Sequence, residues 1–517
     1  MVGVVTIASA HVISHQARRA ITTDVGRWLF GLALGVYFFT AGGSLTTTDA
    51  VVAFDVTRNI VEKGTLATSG NLLGLEAFRG ADGRYYSPFG ILQSIYNIPF
   101  YVAGTVFVEV TGVTAGKPDS IPKAAVSLGQ SLIGAWIIWL IFSLSLTVTG
   151  DESAAALAAL TATFGTVLWP YAKFGFNQPL ACATLAAAVG GVLTGVRQGR
   201  PSRTALGGLW LAASLLTRHE MAIAALPLGG WLMLAARDWR DRVRQALAFL
   251  PGVLAGVTVW MALNVVRFGD AFESGYFRDA TPGFGSPVFE GLAGLLFSPG
   301  ASLFLYSPVA VLGIVGLVRL WHRDRMAAIL CSSIIVVFVV FYATLGNWMG
   351  GRSWGSRYLV IVVPYLMVGW AVWLSQMARG WRVMAMVIAT SLGIVVQLPG
   401  VVVDYAKVSQ AASAEMTIRE RQWSWEASPL VLNTRAMATA VPDNVGYIAG
   451  LRPVPRISRP GSDADRSFSQ QFAFSLDFWW LYLFYLGLLP RAGVAAAMAA
   501  FAVWVVLFAR GVGRELA

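Results

Sequence analysis

A lone carboxylate stands where the first strongly apolar run of the chain, 28–45, gives way to Thr46-Thr47-Thr48-Asp49. Held at the edge of a membrane, such a carboxylate can take the proton of an acceptor hydroxyl, the work of a general base. The same residue also suits a helix start. Val51, Val52, Phe54, Ile60 and Val61 mark an amphipathic helix from about 49 to Lys63, stopped by Gly64, with Thr48 or Asp49 as its N-cap. Asp55 falls on a different face of that helix and reads as a surface or supporting residue of the groove.

Four other stretches carry charge or aromatic rings in suggestive spacing. In Gly83-Arg84-Tyr85-Tyr86-Ser87-Pro88-Phe89-Gly90, the pair Tyr85 and Tyr86 suits either a membrane-interface belt or the wall of a lipid groove, and Arg84 suits a phosphate. Lys173, in Tyr171–Pro179, suits snorkelling or phosphate contact equally. In Thr217-Arg218-His219-Glu220, three ionisable residues interrupt an apolar region, which is costly unless they pair or face a watered cavity. One reading is a salt-bridged cluster. The other has Arg218 gripping a phosphate in bidentate fashion while His219 and Glu220 orient it. No second His or Cys stands at zinc-ligand spacing there. Finally, Asn347 to Tyr358 is rich in glycine and holds Trp348, Arg352, Trp354, Arg357 and Tyr358. It suits an interface belt with snorkelling arginines, or a phosphate site with tryptophans for the CH faces of a sugar ring.

The elements that must position these residues are membrane helices. Of 517 residues, 56% are hydrophobic and 13% charged, mean hydropathy is +0.63 and net charge is +11. Soluble domains carry about 25% charged residues, so a soluble enzyme, a disordered chain and a disulfide framework are all excluded. Cys182 and Cys331 sit in apolar runs and read as buried small hydrophobes. Residues 1–20 lack a typical signal-peptide pattern.

The expected fold is all-α and polytopic, with about 13 spans. The apolar runs are 28–45, 122–148, 153–172, 178–196, 204–217, 219–236, 246–267, 302–321, 327–346, 356–376, 383–404, 472–489 and 492–509. The weaker run 88–112, with Pro88, Gln93, Asn97, Pro99 and Glu109, reads as an interfacial or re-entrant helix, and 286–297 as a half-helix in the interface. With 88–112 not spanning, the basic clusters at Arg18/Arg19/Arg27, Arg197/Arg200/Arg203, Arg237 to Arg244, Arg319/Arg323/Arg325 and Arg379/Arg382 all fall on the cytoplasmic side. The N-terminus is then cytoplasmic, the C-terminus outward, and the loops 46–121, 268–301, 347–355 and 405–471 external. This arrangement leaves Arg510 and Arg514 outside. The organisation is a cytoplasmic segment 1–27, a transmembrane region 28–404, an external lobe 405–471 and terminal helices 472–517.

This order of elements resembles the GT-C superfamily of polyprenyl-phosphate-sugar-dependent glycosyltransferases, most of all the branch of protein O-mannosyltransferases and lipid A aminoarabinose transferases. Asp49 stands where that family has its catalytic base. Arg84 to Gly90 is similar to the family's aromatic-Lys-Pro loop, with Ser87 in place of the basic residue, and Asn177 occupies a position that is often acidic. Leu216-Thr217-Arg218 and Trp348 to Tyr358 look like motifs of bacterial members. The resemblance covers about residues 25–376. It implies a multi-pass protein of the cell (plasma or inner) membrane with an external active site that moves a sugar from a polyprenyl-phosphate donor to a lipid, glycan or protein acceptor, with inversion. Asp49 would be the base. Arg218, Arg357, Arg352, Lys173 and Arg84 would hold the donor phosphate. Tyr85, Tyr86, His219, Glu220, Trp348, Trp354, Tyr358 and Asp55 would line the groove. No cofactor is required, a metal has no strong site because Asp49 lacks a close acidic partner, and no nucleic acid is involved. The rival reading is a transporter or flippase of a lipid-linked glycan.

Overall fold

The computed structural model describes residues 24–70, 77–114, 119–275, 283–412, 416–454 and 476–516. The cytoplasmic segment read from sequence therefore lies mostly outside the described residues, as do 413–415 and 455–471 of the expected lobe. The fold is all-α apart from a two-stranded hairpin, β1 (Phe78–Arg79) and β2 (Tyr85–Tyr86). Among the described residues, seven helices are long and apolar enough to cross a membrane. This is a multi-pass membrane protein.

α1 (Asp24–Phe39) leads into α2 (Thr48–Lys63), and α3 (Leu92–Thr111) packs beside α4 (Ser120–Thr149). α3 is the run read as non-spanning. It is not among the seven, and it meets α4 near that helix's first turns, with Gly104 against Pro122 and Tyr96 donating to the Gly129 carbonyl at 2.7 Å. Next come α5 (Glu152–Gly165), α6 (Leu168–Tyr171), α7 (Asn177–Gln198), α8 (Pro201–Thr217), a 3-10 turn (His219–Ala224) with α9 (Ala225–Ala235), and α10 (Trp239–Phe268). α11 (Val288–Phe297) is the short interfacial candidate, followed by α12 (Leu303–Tyr306), α13 (Val309–Arg323) and α14 (Arg325–Ala343). A second 3-10 turn (Arg357–Val362) opens α15 (Val363–Ser375), and α16 (Arg379–Val402) follows. The last part holds α17 (Tyr405–Ala412), α18 (Ile418–Trp423), α19 (Pro429–Ala449), α20 (Trp479–Tyr485) and α21 (Arg491–Leu516).

Lipid-facing helices gain little from burying apolar surface against one another, so close packing must hold them. Small residues supply it. A Cβ on Gly316 of α13 would stand 1.7 Å from the Gly369 carbonyl of α15, and one on Gly252 of α10 would stand 2.6 Å from the Gly208 backbone of α8. Cys182 and Cys331 are buried and free.

One end of the bundle is a belt of arginines engaged with helix ends. Arg197 pairs with Asp324, Arg382 with Asp151 at 2.6 Å, and Arg323 donates to the Thr149 carbonyl at 2.8 Å. α21 joins this end. It runs antiparallel to α1, with Gly35 against Trp504, Gly31 against Phe508 and Gly511 against Trp28, and Arg379 donates to the Leu516 carbonyl at 2.9 Å. The expectation of two terminal spans, with the C-terminus at the opposite end from the start of α1, is thereby corrected. In the described part of 472–489 only the seven residues of α20 are helical, and Trp479 and Trp480 tie that helix to the Phe38 and Phe39 carbonyls at the end of α1. A single helix then crosses back, which places Arg510 and Arg514 with the other arginines.

The described part of the expected lobe packs with the terminal helices. Val403, Val408, Ala436, Ala440, Leu476, Leu481 and Val494 form one small cluster that joins α17, α19, α20 and the start of α21.

Candidate functional site

The site lies at the end opposite the arginine belt. It starts from the turn between α1 and α2. Thr47, not Thr48 or Asp49, is the N-cap of α2, its hydroxyl accepting from Ala50 N at 3.4 Å in an extended backbone conformation. Gly64 ends the helix in the left-handed region, as expected from sequence. Asp49, in the first turn, is thus free of the capping role. Its side chain is 5% exposed, and its Oδ1 accepts from Arg357 Nη1 at 3.4 Å. Its Oδ2 is buried with no hydrogen-bond partner among the described residues.

Arg357 reaches Asp49 because the preceding loop is built on glycine. Gly350 and Gly351 have φ of +78° and +77°, and a Cβ on Gly350 would stand 2.8 Å from Cγ and Nε of Arg357. Only glycine combines that backbone with room for the guanidinium. The Arg357 guanidinium also lies 5.3 Å from the Phe176 ring and 5.1 Å from the Tyr358 ring.

Between these groups is a cavity of ≈ 300 Å³. The α1–α2 turn contributes Thr46 to Asp49, and the glycine loop contributes Asn347, Gly350, Gly351, Arg352 and Arg357. Phe176 comes from the α6–α7 turn, Ala406 and Gln410 from α17, and Arg421 from α18. Four buried polar atoms without a hydrogen-bond partner belong to its lining residues: Thr46 Oγ1, Asp49 Oδ2, Arg357 Nε and Arg421 Nε. Burial usually forces such atoms to pair, so four of them on residues that line one polar cavity make it the candidate site for a polar ligand. Burial first, and then the like charge of Arg421, lower the pKa of Arg352.

Of the residues singled out in sequence, Asp49, Arg352 and Arg357 converge on this cavity, and Tyr358 stands behind Arg357. Arg218 does not reach it. Its Nη1 donates to Asn177 Oδ1 at 2.6 Å, and its Nε and Nη2 meet Glu220 Oε1 at 2.6 Å. Tyr342 donates to the same Glu220 oxygen at 3.0 Å and stacks on Tyr358 at 4.7 Å. Arg218 and Glu220 therefore form the buried, paired cluster that was the alternative reading, and they brace the wall behind Arg357. His219 packs edge-on against Trp260 at 5.7 Å, away from the cavity lining.

Lys173 is likewise engaged elsewhere. Its ammonium is 3.0 Å from the Asp477 carboxylate and donates to the carbonyls of Val401 at 2.6 Å and Asp477 at 2.8 Å. It ties α20's approach to the bundle. Trp348 and Trp354 are packing residues, not sugar platforms. Trp348 fills the space left by Gly294, and Trp354 that left by Gly400, with its Nε1 donating to Gln397 at 3.0 Å. Asp55 pairs with Arg58 and accepts from Ser69 N at 2.6 Å, which ties α2 to its following loop. Arg84 is exposed and bonded to Asp82 at 2.6 Å; its proximity holds the Asp82 carboxyl below the usual range. Tyr85 lies in the hairpin, and Tyr86 donates to Asp82 at 2.8 Å and packs with Ala67 and Phe268 in a separate cluster. Neither tyrosine lines the cavity.

Arg421 escaped the sequence reading. Its signal was the one that marked Arg352 and Arg357: an arginine on the side that the positive-inside reading of the sequence makes external. Among the described residues no group of three or more His, Cys, Asp or Glu could hold a metal.

No protein-family model matches the chain, and no curated protein sequence matches it. Two solved structures to which it is similar come from Archaeoglobus fulgidus. One is its oligosaccharyltransferase in the apo form, at 10% identity and a TM-score of 0.49 over 86% of this chain and 59% of that one. The other is the oligosaccharyltransferase AglB in complex with an inhibitory peptide and a dolichol-phosphate, at 11% identity and a TM-score of 0.44 over 88% of this chain and 60% of that one. The chain thus spans about three fifths of the length of these proteins.

Proposed function

We propose that this protein is a GT-C-type membrane glycosyltransferase that moves a sugar from a polyprenyl-phosphate-linked donor to a hydroxyl acceptor at the external face of the membrane. One observation carries the reading: Asp49 lines a polar cavity as a buried carboxylate, one oxygen held by Arg357 and the other without a hydrogen-bond partner among the described residues. In a single displacement, Asp49 Oδ2 takes the proton of the acceptor hydroxyl as that oxygen attacks the anomeric carbon. The bond from that carbon to the phosphate oxygen breaks on the opposite side, and the configuration inverts. Arg357, with Arg352, stabilises the departing phosphate by charge-assisted hydrogen bonds. Arg218, Glu220 and Tyr358 act behind Arg357 as positioning residues.

A transporter of a lipid-linked glycan would hold its ligand near the midplane, between broken helices of repeated halves. The cavity here is made at helix ends and by the turns between them, which favours the enzyme. The test is turnover of radiolabelled polyprenyl-phosphate sugars by the purified protein in lipid vesicles with extracted membrane acceptors. Transfer that depends on Asp49 supports the reading. Uptake or flipping of the lipid-linked sugar without transfer overturns it.

A further inference from the structure

The cavity has more positive charge than one donor phosphate uses. Asp49 and Arg357 balance each other, and Arg352 and Arg421 add two positive charges, with no other carboxylate on the lining. A phosphodiester-linked sugar brings one negative charge. Arg421 is also separate in origin. It comes from α18, not from the glycine loop, and a capping box places it there, with Thr417 and Glu420 bonding each other's backbone and side chains. α18 is pinned to the bundle where Gly300 abuts the Arg421 carbonyl and Trp423 packs edge-on against Trp348 at 5.8 Å. Arg421 lines the cavity, and its Nε is buried with no hydrogen-bond partner among the described residues. A guanidinium held this way gains by accepting a carboxylate or phosphate in its fork.

We infer that Arg421 forms a second anion subsite beside Arg352, and that the acceptor is itself anionic: a glycan or lipid bearing a phosphate or carboxylate near the hydroxyl that attacks. This rests on the glycosyl-transfer reading. It makes α17 and α18 the acceptor side of the cavity and the glycine loop, with Arg352 and Arg357, the donor side. Charge on the acceptor then draws its hydroxyl toward Asp49.

Two measurements test it. Inorganic phosphate titrated calorimetrically into the purified protein in detergent should bind at two sites per chain. Arg421→Gln should remove one or weaken it at least about tenfold, Arg421→Lys should recover part of it, and Arg357→Gln should act on the other. A single phosphate site, or two sites indifferent to Arg421→Gln, overturns the inference. In transfer assays, Arg421→Gln should raise KM for a phosphorylated acceptor at least about tenfold while leaving KM for the donor unchanged. A rise in donor KM alone would assign Arg421 to the donor and overturn it, as would equal use of a neutral acceptor by the unmodified protein. If no polyprenyl-phosphate sugar is turned over at all, the glycosyl-transfer reading fails, whereas the phosphate titration still reads the second subsite.

Discussion

Asp49→Asn is the substitution that separates chemistry from structure at this site. The asparagine Oδ1 can keep accepting from Arg357, at the 3.4 Å contact that the carboxylate makes now. Its Nδ2 then takes the place of Oδ2, the oxygen without a hydrogen-bond partner among the described residues. An amide nitrogen there presents hydrogens and cannot receive one. General-base catalysis typically contributes about 10²–10⁴-fold in rate, and that is the expected loss in kcat. The fold should tolerate the change, because the N-cap of α2 is Thr47. Replacing a charged acceptor by a neutral one on a single long hydrogen bond costs about 1 kcal/mol, a melting shift of no more than roughly 2–4 °C. The assay is single-turnover transfer from a radiolabelled polyprenyl-phosphate sugar in vesicles, with donor binding measured in parallel. Donor binding should survive. A folded Asp49→Asn protein with full transfer activity would refute the mechanism. Asp55→Asn is the matched control: it weakens the tie to Arg58 and Ser69 and should lower stability without changing transfer per folded molecule.

Gly350→Ala should cost about 1–2 kcal/mol of backbone strain at φ +78° and push Arg357 off Asp49, so transfer falls while the melting temperature drops only modestly. Lys173→Met leaves the buried Asp477 carboxylate without its cation and should destabilise by about 3–5 kcal/mol in thermal unfolding; Lys173→Met with Asp477→Leu should recover most of it. Arg218→Ala should likewise destabilise by about 3–5 kcal/mol by stranding Glu220, with donor affinity in the folded fraction unchanged; a selective loss of donor binding would return Arg218 to the phosphate site. Cysteines introduced at 242 and 515 should be labelled from the same side of the membrane, and one at 435 from the other; opposite labelling of 242 and 515 would overturn the path of α21.

Hydropathy and charge along the chain were enough to establish an all-α, multi-pass protein, the amphipathic helix after the first span, and the asymmetry that puts the arginine belt at one end. Each of these is a property of contiguous residues, since a span is a run of apolar side chains and a basic cluster is local. That Asp49, Arg352 and Arg357 were candidates was legible for a related reason: charge at the end of a span is expensive and needs a partner or a purpose. The number of terminal spans was not legible, because Trp479 to Tyr485 is as apolar as a span, and only its docking on the end of α1 shows that it stops there. Nor could sequence divide the cations among their tasks. Arg218 and Lys173 carry the same charge as Arg357, but Glu220 lies two positions from Arg218, Asp477 lies 304 from Lys173, and Asp49 lies 308 from Arg357. Which guanidinium is neutralised in the wall and which lines the cavity depends on contacts between helices far apart in the chain. Tertiary packing alone brings the α1–α2 turn, the glycine loop and Arg421 of α18 around one void.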